Sequence, residues 1–304
     1  MTGVGRHPLL SRIAARARRS LGIQELAQRL DGIEAGLGQL HSDRFPNGPL
    51  YFGDHTALVA TRFGAKMLVD TRDAAISPWI VLDGLWETHV TEWLQRTLRP
   101  GQVFVDVGAN IGYFTLLGGQ LVGPQGRVVA VEAHPGLAEL LRRNVIMNGL
   151  YGYVTTWHRA AWSSRTTLQL HQRLNFSGAS SIGAIGQEAL DRLGDTETMI
   201  EVQAVPVDDL LEGLPPVDVL KMDIEGAELQ AFTGLSRTLE TSKKMAVMFE
   251  WAPALIEGVG DKAEALVDLL GGHGFRFRLL EDDLAAIERA KLLDLPYGNV
   301  VATR

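Results

Sequence analysis

A chain of 304 residues with 46% apolar content has room for one large domain with extensions and can fill a sizeable core. Its net charge of −7 argues against a nucleic-acid partner, and the absence of cysteine excludes disulfides, thiolate metal sites, iron–sulfur clusters and thiol nucleophiles. No apolar run approaches the roughly 18–20 residues that span a bilayer, and a reducing, cytoplasmic setting fits the composition.

The first 24 residues hold Arg6, Arg12, Arg16, Arg18 and Arg19 and no acid. Such a stretch suits a solvated helix or a peripheral contact with anionic lipid. Ile23, Leu26, Leu30, Ile33, Leu37 and Leu40 then recur at steps of 3, 4, 3, 4 and 3. That heptad seam makes residues 1–44 an amphipathic helix, packed on its own domain or joining copies into a homo-oligomer. Phe45-Pro46-Asn47-Gly48-Pro49 breaks the pattern. Residues 45–98 read as a linker, a hairpin (Ala57–Arg62 and Ala65–Asp70 around Phe63-Gly64) and a helix from Leu85 to Leu98.

From 99 to 304 seven apolar β runs occur, at Val103–Val107, Arg127–Val131, Tyr153–His158, Val217–Met222, Met245–Phe249, Phe275–Leu279 and Asn299–Ala302. Helical stretches separate them at Tyr113–Val122, Pro135–Asn148, Ala227–Leu239 and Asp261–Leu270. This alternation predicts an α/β fold, a mostly parallel seven-stranded sheet with helices on both faces. Between Leu168 and Val205 it lapses into a Gly/Ser-rich stretch, an insertion near 172–200 with some β content.

The most informative segment is Val103-Phe104-Val105-Asp106-Val107-Gly108-Ala109-Asn110-Ile111-Gly112. A buried strand ends at Asp106, and Gly108 and Gly112 allow close approach of backbone to a ligand outside the strand's carboxyl end. The spacing is G-x-N-x-G, not the dinucleotide G-x-G-x-x-G, and an acid stands two residues before it. That acid would repel a pyrophosphate but suits the cationic amino end of S-adenosylmethionine (SAM). Glu132 stands 20 residues past Gly112, at the end of the next strand, where an acid can accept both ribose hydroxyls.

A second constellation follows. Lys221 and Asp223 alternate along one strand, Glu225 lies just beyond, and the next strand ends at Glu250. In a doubly wound sheet these ends share a crevice with Asp106. One of the carboxylates can take a hydroxyl proton or hold substrate. Asp223 and Glu250 can instead hold Mg²⁺, by analogy with other hydroxyl methyltransferases. Alternatively, Asp223 or Glu225 merely caps the helix after Gly226. Ala160, beside His158, marks a place for the adenine edge, and Asn175–Ser181 is a candidate lid or acceptor contact. His134 and His158 read as ordinary polar surface residues.

The segments Asp106–Gly112 with Asn110 at the centre, Val131-Glu132-Ala133-His134-Pro135 and Leu220-Lys221-Met222-Asp223-Ile224-Glu225-Gly226-Ala227-Glu228 resemble the FkbM-type methyltransferases. The similarity runs from about Ala57 to Arg304, and it departs from the family at Ala133-His134, where a proline and a polar residue are more usual. The resemblance implies a class I SAM-methyltransferase (Rossmann-like) sheet and O-methylation of a small-molecule or glycan hydroxyl. Two other readings stay open: an N-methyltransferase, and a non-catalytic subunit recruiting partners through the N-terminal helix.

Overall fold

Residues 49–183 and 194–304 are described by the structure, a computed structural model. The basic segment, the heptad seam and part of the insertion lie outside the described residues. No described helix is long and apolar enough to cross a membrane.

Pro49–Arg304 forms one compact unit. It opens with a three-stranded antiparallel sheet, β1 (Leu50–Gly53), β2 (Thr56–Ala60) and β3 (Lys66–Asp70), then α1 (Ser77–Asp83) and α2 (Thr88–Thr97). Strands and helices alternate through β4 (Val103–Val107), α3 (Tyr113–Val122), β5 (Arg127–Glu132), α4 (Pro135–Met147) and β6 (Val154–His158). A second small sheet holds β7 (Ala160–Ala161), β8 (Thr166–Arg173) and β9 (Glu197–Val205), in the order β7-β9-β8. After α5 (Val207–Leu210) come β10 (Val219–Met222), α6 (Glu228–Thr233), α7 (Ser236–Thr241), β11 (Ala246–Trp251), α8 (Pro253–Gly258) and α9 (Ala263–Gly272). The chain closes with β12 (Arg276–Leu279), β13 (Ala285–Ala286), α10 (Arg289–Leu293) and β14 (Gly298–Thr303).

The central sheet runs β13-β12-β14-β11-β10-β4-β5-β6. Strands β6, β5, β4, β10 and β11 are mutually parallel, and β14 lies antiparallel between β11 and β12. The sheet has eight strands where seven β runs were expected; the addition is the two-residue edge strand β13. Strand order reverses between β4 and β10, so the crevice beyond their carboxyl ends is the natural ligand site of such a sheet.

Two apolar layers flank the sheet, and the pleat sorts side chains between them. Val103, Val105, Val107, Leu220, Met222, Val247 and Phe249 enter one layer. Phe104, Val128, Ala130, Val219 and Met248 enter the other, with α3 and α4. The same parity continues to the carboxyl ends. Asp106 pairs with Lys221 across β4 and β10, and Glu132 and Glu250 stand at the carboxyl-terminal ends of β5 and β11 on this second face. Four polar groups thus reach one face at one edge because the last residue of each strand on that face is polar.

The helix expected over Ala227–Leu239 is two helices, α6 and α7, parted at Gly234-Leu235, where a Cβ on Gly234 would collide with the Trp162 carbonyl oxygen. In the insertion, β8 and β9 pair antiparallel from Thr166↔Ala204 to Arg173↔Glu197. Both strands carry a short apolar alternation, Leu168 and Leu170 on β8 and Ile200, Val202 and Ala204 on β9, whose side chains form a small core with Ala160. The N-terminal sheet is fastened by Asn144 of α4, which is fully buried. Its Oδ1 accepts the Leu68 N–H at 2.7 Å, and its Nδ2 donates to the carbonyls of Leu68 (3.1 Å) and Ile111 (2.8 Å).

Candidate active site

A cavity of about 330 Å³ opens at the switch point. Its walls come from the turn after β4, the ends of β5, β10 and β11, strand β7, the Ser177–Ser181 segment, and the Ile76 and Trp86-Glu87 stretches around α1.

The turn after β4 is held from both sides. Gly108 and Ala109 donate to the Val131 carbonyl at 2.9 and 3.0 Å, and Asp223 N–H donates to Val107 at 3.1 Å. Gly108 lies at φ 77°, and a Cβ there would collide with the Asp223 carbonyl oxygen. Gly112, at φ 96°, faces Leu141 of α4, whose Cδ1 would be 2.7 Å from an added Cβ. Sequence reasoning assigned both glycines to ligand approach. Here each admits another part of the chain, and only Gly108 also lines the cavity. Asn110 occupies the left-handed region at φ 52°, which Asn tolerates better than most residues.

Glu132 lines the cavity and is nearly enclosed. Its Oε2 accepts the Asn110 N–H and its Oε1 the His134 N–H, both at 2.8 Å. Burial pushes its pKa up to about 7 against these two hydrogen bonds. Ala160, buried on β7, lines the same end. Asp106, expected at the amino end of the cofactor, is completely enclosed and does not line the cavity. Thr115 Oγ1 donates to its Oδ2 at 2.6 Å, and burial raises its pKa while the Lys221 charge opposes the rise.

Lys221 is 1% exposed. Its Nζ donates to Asp223 Oδ2 at 3.0 Å and lies 5.1 Å from the centre of the Phe114 ring. Burial opposes its charge, yet Asp223, Asp106 and Glu87 together raise its pKa above the ordinary lysine value. Carboxylate oxygens of Asp223, Glu225 and Glu250 all lie within 4.8 Å of one another. Burial, then the neighbouring acids, push Glu225 up to about 8 and Glu250 up to about 10. Glu250 Oε2 is buried with no hydrogen-bond partner among the described residues.

Asp223 and Glu225 do not cap the following helix. Its N-cap is Ala227, without a side-chain bond, and the buried Glu228 accepts the Ile224 N–H at 3.1 Å instead. Ser181 Oγ donates to the Glu225 carbonyl at 2.6 Å, so the Asn175–Ser181 segment lies against the acidic cluster.

Three lining residues were not assigned from sequence. Glu87 sits at φ 39° between α1 and α2, with burial and then Asp223 pushing its pKa up to about 7. Tyr297, before β14, lines the cavity beside Glu250. His134 is buried at 7% exposure, not on the surface, and caps α4. Its signal was its place before Pro135, since a cap precedes a proline at the first helical position. His158 is exposed, and its Nε2 lies 3.1 Å from the Ala133 carbonyl.

The sequence description of the methyltransferase FkbM domain matches residues 106–277, more than half of the chain. The chain belongs to the FkbM methyltransferase family. It is 28% identical over 194 residues to methyltransferase sdnD of Sordaria araneosa, covering 56% of this chain and 73% of that protein. It is 28% identical over 211 residues to 31-O-demethyl-FK506 methyltransferase FkbM of Streptomyces tacrolimicus, covering 62% of this chain and 78% of that protein. Among solved structures, a SAM-dependent O-methyltransferase from Thermotoga maritima aligns with a TM-score of 0.41 at 13% identity, over 81% of this chain and 77% of that one. The chain is thus a SAM-dependent methyltransferase of the FkbM family with a mainly parallel α/β sheet. Two cavity residues, Glu87 and Tyr297, lie outside the matched stretch.

Proposed function

We propose that this FkbM methyltransferase methylates a hydroxyl oxygen of a small-molecule or glycan acceptor, with Asp223 as proton acceptor. The observation that carries the reading is the gathering of Asp223, Glu225, Glu250 and Lys221 at the carboxyl ends of β10 and β11, in the cavity that also holds Glu132. One relative's name refers to a 31-O-demethyl substrate, which agrees with an oxygen acceptor.

SAM supplies a methyl group on a sulfonium: the acceptor oxygen forms the new C–O bond as the C–S bond breaks and its electron pair stays on sulfur. The chain's residues align the partners and remove one proton. Asp223 is the residue for that proton: Lys221 binds one of its oxygens, orienting the carboxylate, and leaves the other without a hydrogen-bond partner among the described residues. Glu225 and Glu250, with raised pKa values, retain protons near neutrality and can donate hydrogen bonds to the acceptor. Glu132 binds the ribose end, and Ala160 bounds the adenine edge.

The proposal is tested by incubating the full chain with methyl-labelled SAM and a panel of hydroxyl acceptors, then locating the label by NMR. Label on oxygen is expected; label on nitrogen would support an N-methyltransferase. No label in any acceptor, with SAM bound, would favour the non-catalytic subunit.

A divalent cation such as Mg²⁺ is the second reading, favoured by the spacing of the three carboxylates, 4.8 Å or less. Asp223, Glu225 and Glu250 would hold it, and it would acidify a bound hydroxyl. Under this reading EDTA abolishes turnover and Mg²⁺ restores it; under the first, chelation has no effect.

A further inference from the structure

We propose that His134 is a cofactor-binding residue whose Nε2–H donates a hydrogen bond to a ribose hydroxyl that Glu132 also engages. The inference rests on Glu132 taking the ribose end.

Three facts fix the imidazole. The Gly136 and Leu137 N–H groups donate to Nδ1 at 3.1 and 3.2 Å, as the first turn of α4 requires. An Nδ1 that accepts two hydrogen bonds carries no proton, so the proton resides on Nε2. Second, burial, joined by the nearby His158, lowers the ring's pKa to about 4, so the ring stays neutral in ordinary buffers. Third, Nε2 is buried with no hydrogen-bond partner among the described residues, although the side chain lines the cavity.

A buried N–H without a partner is costly, so a ligand that satisfies it gains by doing so. The ligand's chemistry follows from the neighbour. Glu132 is tied to His134 through the 2.8 Å bond from the His134 N–H to Oε1, and both side chains face the same cavity. Glu132 can only accept when ionised, and the neutral ring can only donate from Nε2. A hydroxyl is the group that donates to the first while accepting from the second, and a cis-diol offers two such groups.

The test uses S-adenosylhomocysteine and its 2′-deoxy and 3′-deoxy counterparts as probes, titrated by calorimetry into the full chain and into His134→Asn. Asparagine keeps a capping oxygen for the helix but lacks the ring N–H at that reach; His134→Asp serves as a second cap-preserving variant should His134→Asn lose its cooperative melt. The expected result is a five- to tenfold loss of affinity for S-adenosylhomocysteine, with affinity for one deoxy counterpart changed less than twofold. Unchanged affinity for all three, or an equal loss for all three, overturns the proposal. Glu132→Gln is run alongside. If it weakens S-adenosylhomocysteine while His134→Asn does not, only the role of His134 fails. If neither variant weakens it, the ribose assignment fails with it.

Discussion

At the scale of single residues, the site is a concentration of buried acids that Lys221 only partly compensates. Glu250 and Glu225 are pushed up to about 10 and about 8, first by burial and then by the acids facing them. A carboxyl whose pKa is raised in the folded chain keeps a proton that the unfolded chain has already released. The contribution of these two groups to folding stability is therefore full below the ordinary carboxyl value of 4.5 and is lost as pH rises from there through 8 and 10. Glu250→Gln removes the largest of these costs while preserving shape. Its melting temperature at pH 9 should exceed the parent's by about 5 °C, and the margin should vanish near pH 5; calorimetry at the two values decides it. A variant less stable than the parent at pH 9 would show that Glu250 is ionised and compensated in the folded protein.

At the scale of elements, two junctions hold the cavity's frame. The first joins the turn after β4 to the end of β10, where the Gly108 backbone packs on the Asp223 carbonyl. Gly108→Ala must both relieve that collision and hold an alanine at φ 77°, so it should separate the two strand ends. We expect a loss of about 3 kcal/mol or more in denaturant unfolding, together with SAM binding weakened at least about tenfold. The second junction is Asn144, which binds β3 and the turn before α3 through three hydrogen bonds. Asn144→Ala leaves one N–H and two carbonyls unpaired and should cost about 2–4 kcal/mol, read from the urea midpoint.

These junctions also show what was legible in the sequence and what was not. The Asp106–Gly112 turn, Glu132 and the Lys221–Glu228 stretch could be read because strand end, turn and helix start lie within a few residues of one another. The purpose of Gly108 could not, since its collision partner is more than a hundred positions away. Glu87 and Tyr297 carry no local pattern and reach the cavity only through tertiary packing. The β8–β9 pair was legible only as β content within the insertion: its apolar alternation is short, Leu168 and Leu170 facing Ile200, Val202 and Ala204, and Gly/Ser-rich sequence lies between the strands.

At the scale of the molecule, the Rossmann-like sheet of this FkbM methyltransferase sets the residues proposed for the cofactor, Glu132, His134 and Ala160, around the ends of β5 and β7, and the acidic cluster Asp223, Glu225 and Glu250 around the carboxyl ends of β10 and β11. Binding of cofactor and removal of a proton should therefore be separable by mutation. The measurement that tests this most directly is Asp223→Asn, with turnover followed on an acceptor the parent methylates and SAM affinity followed by calorimetry. Turnover should fall at least about 10²-fold, the usual worth of a positioned proton acceptor, while SAM affinity stays within about threefold. Near-normal turnover in Asp223→Asn would contradict the catalytic assignment.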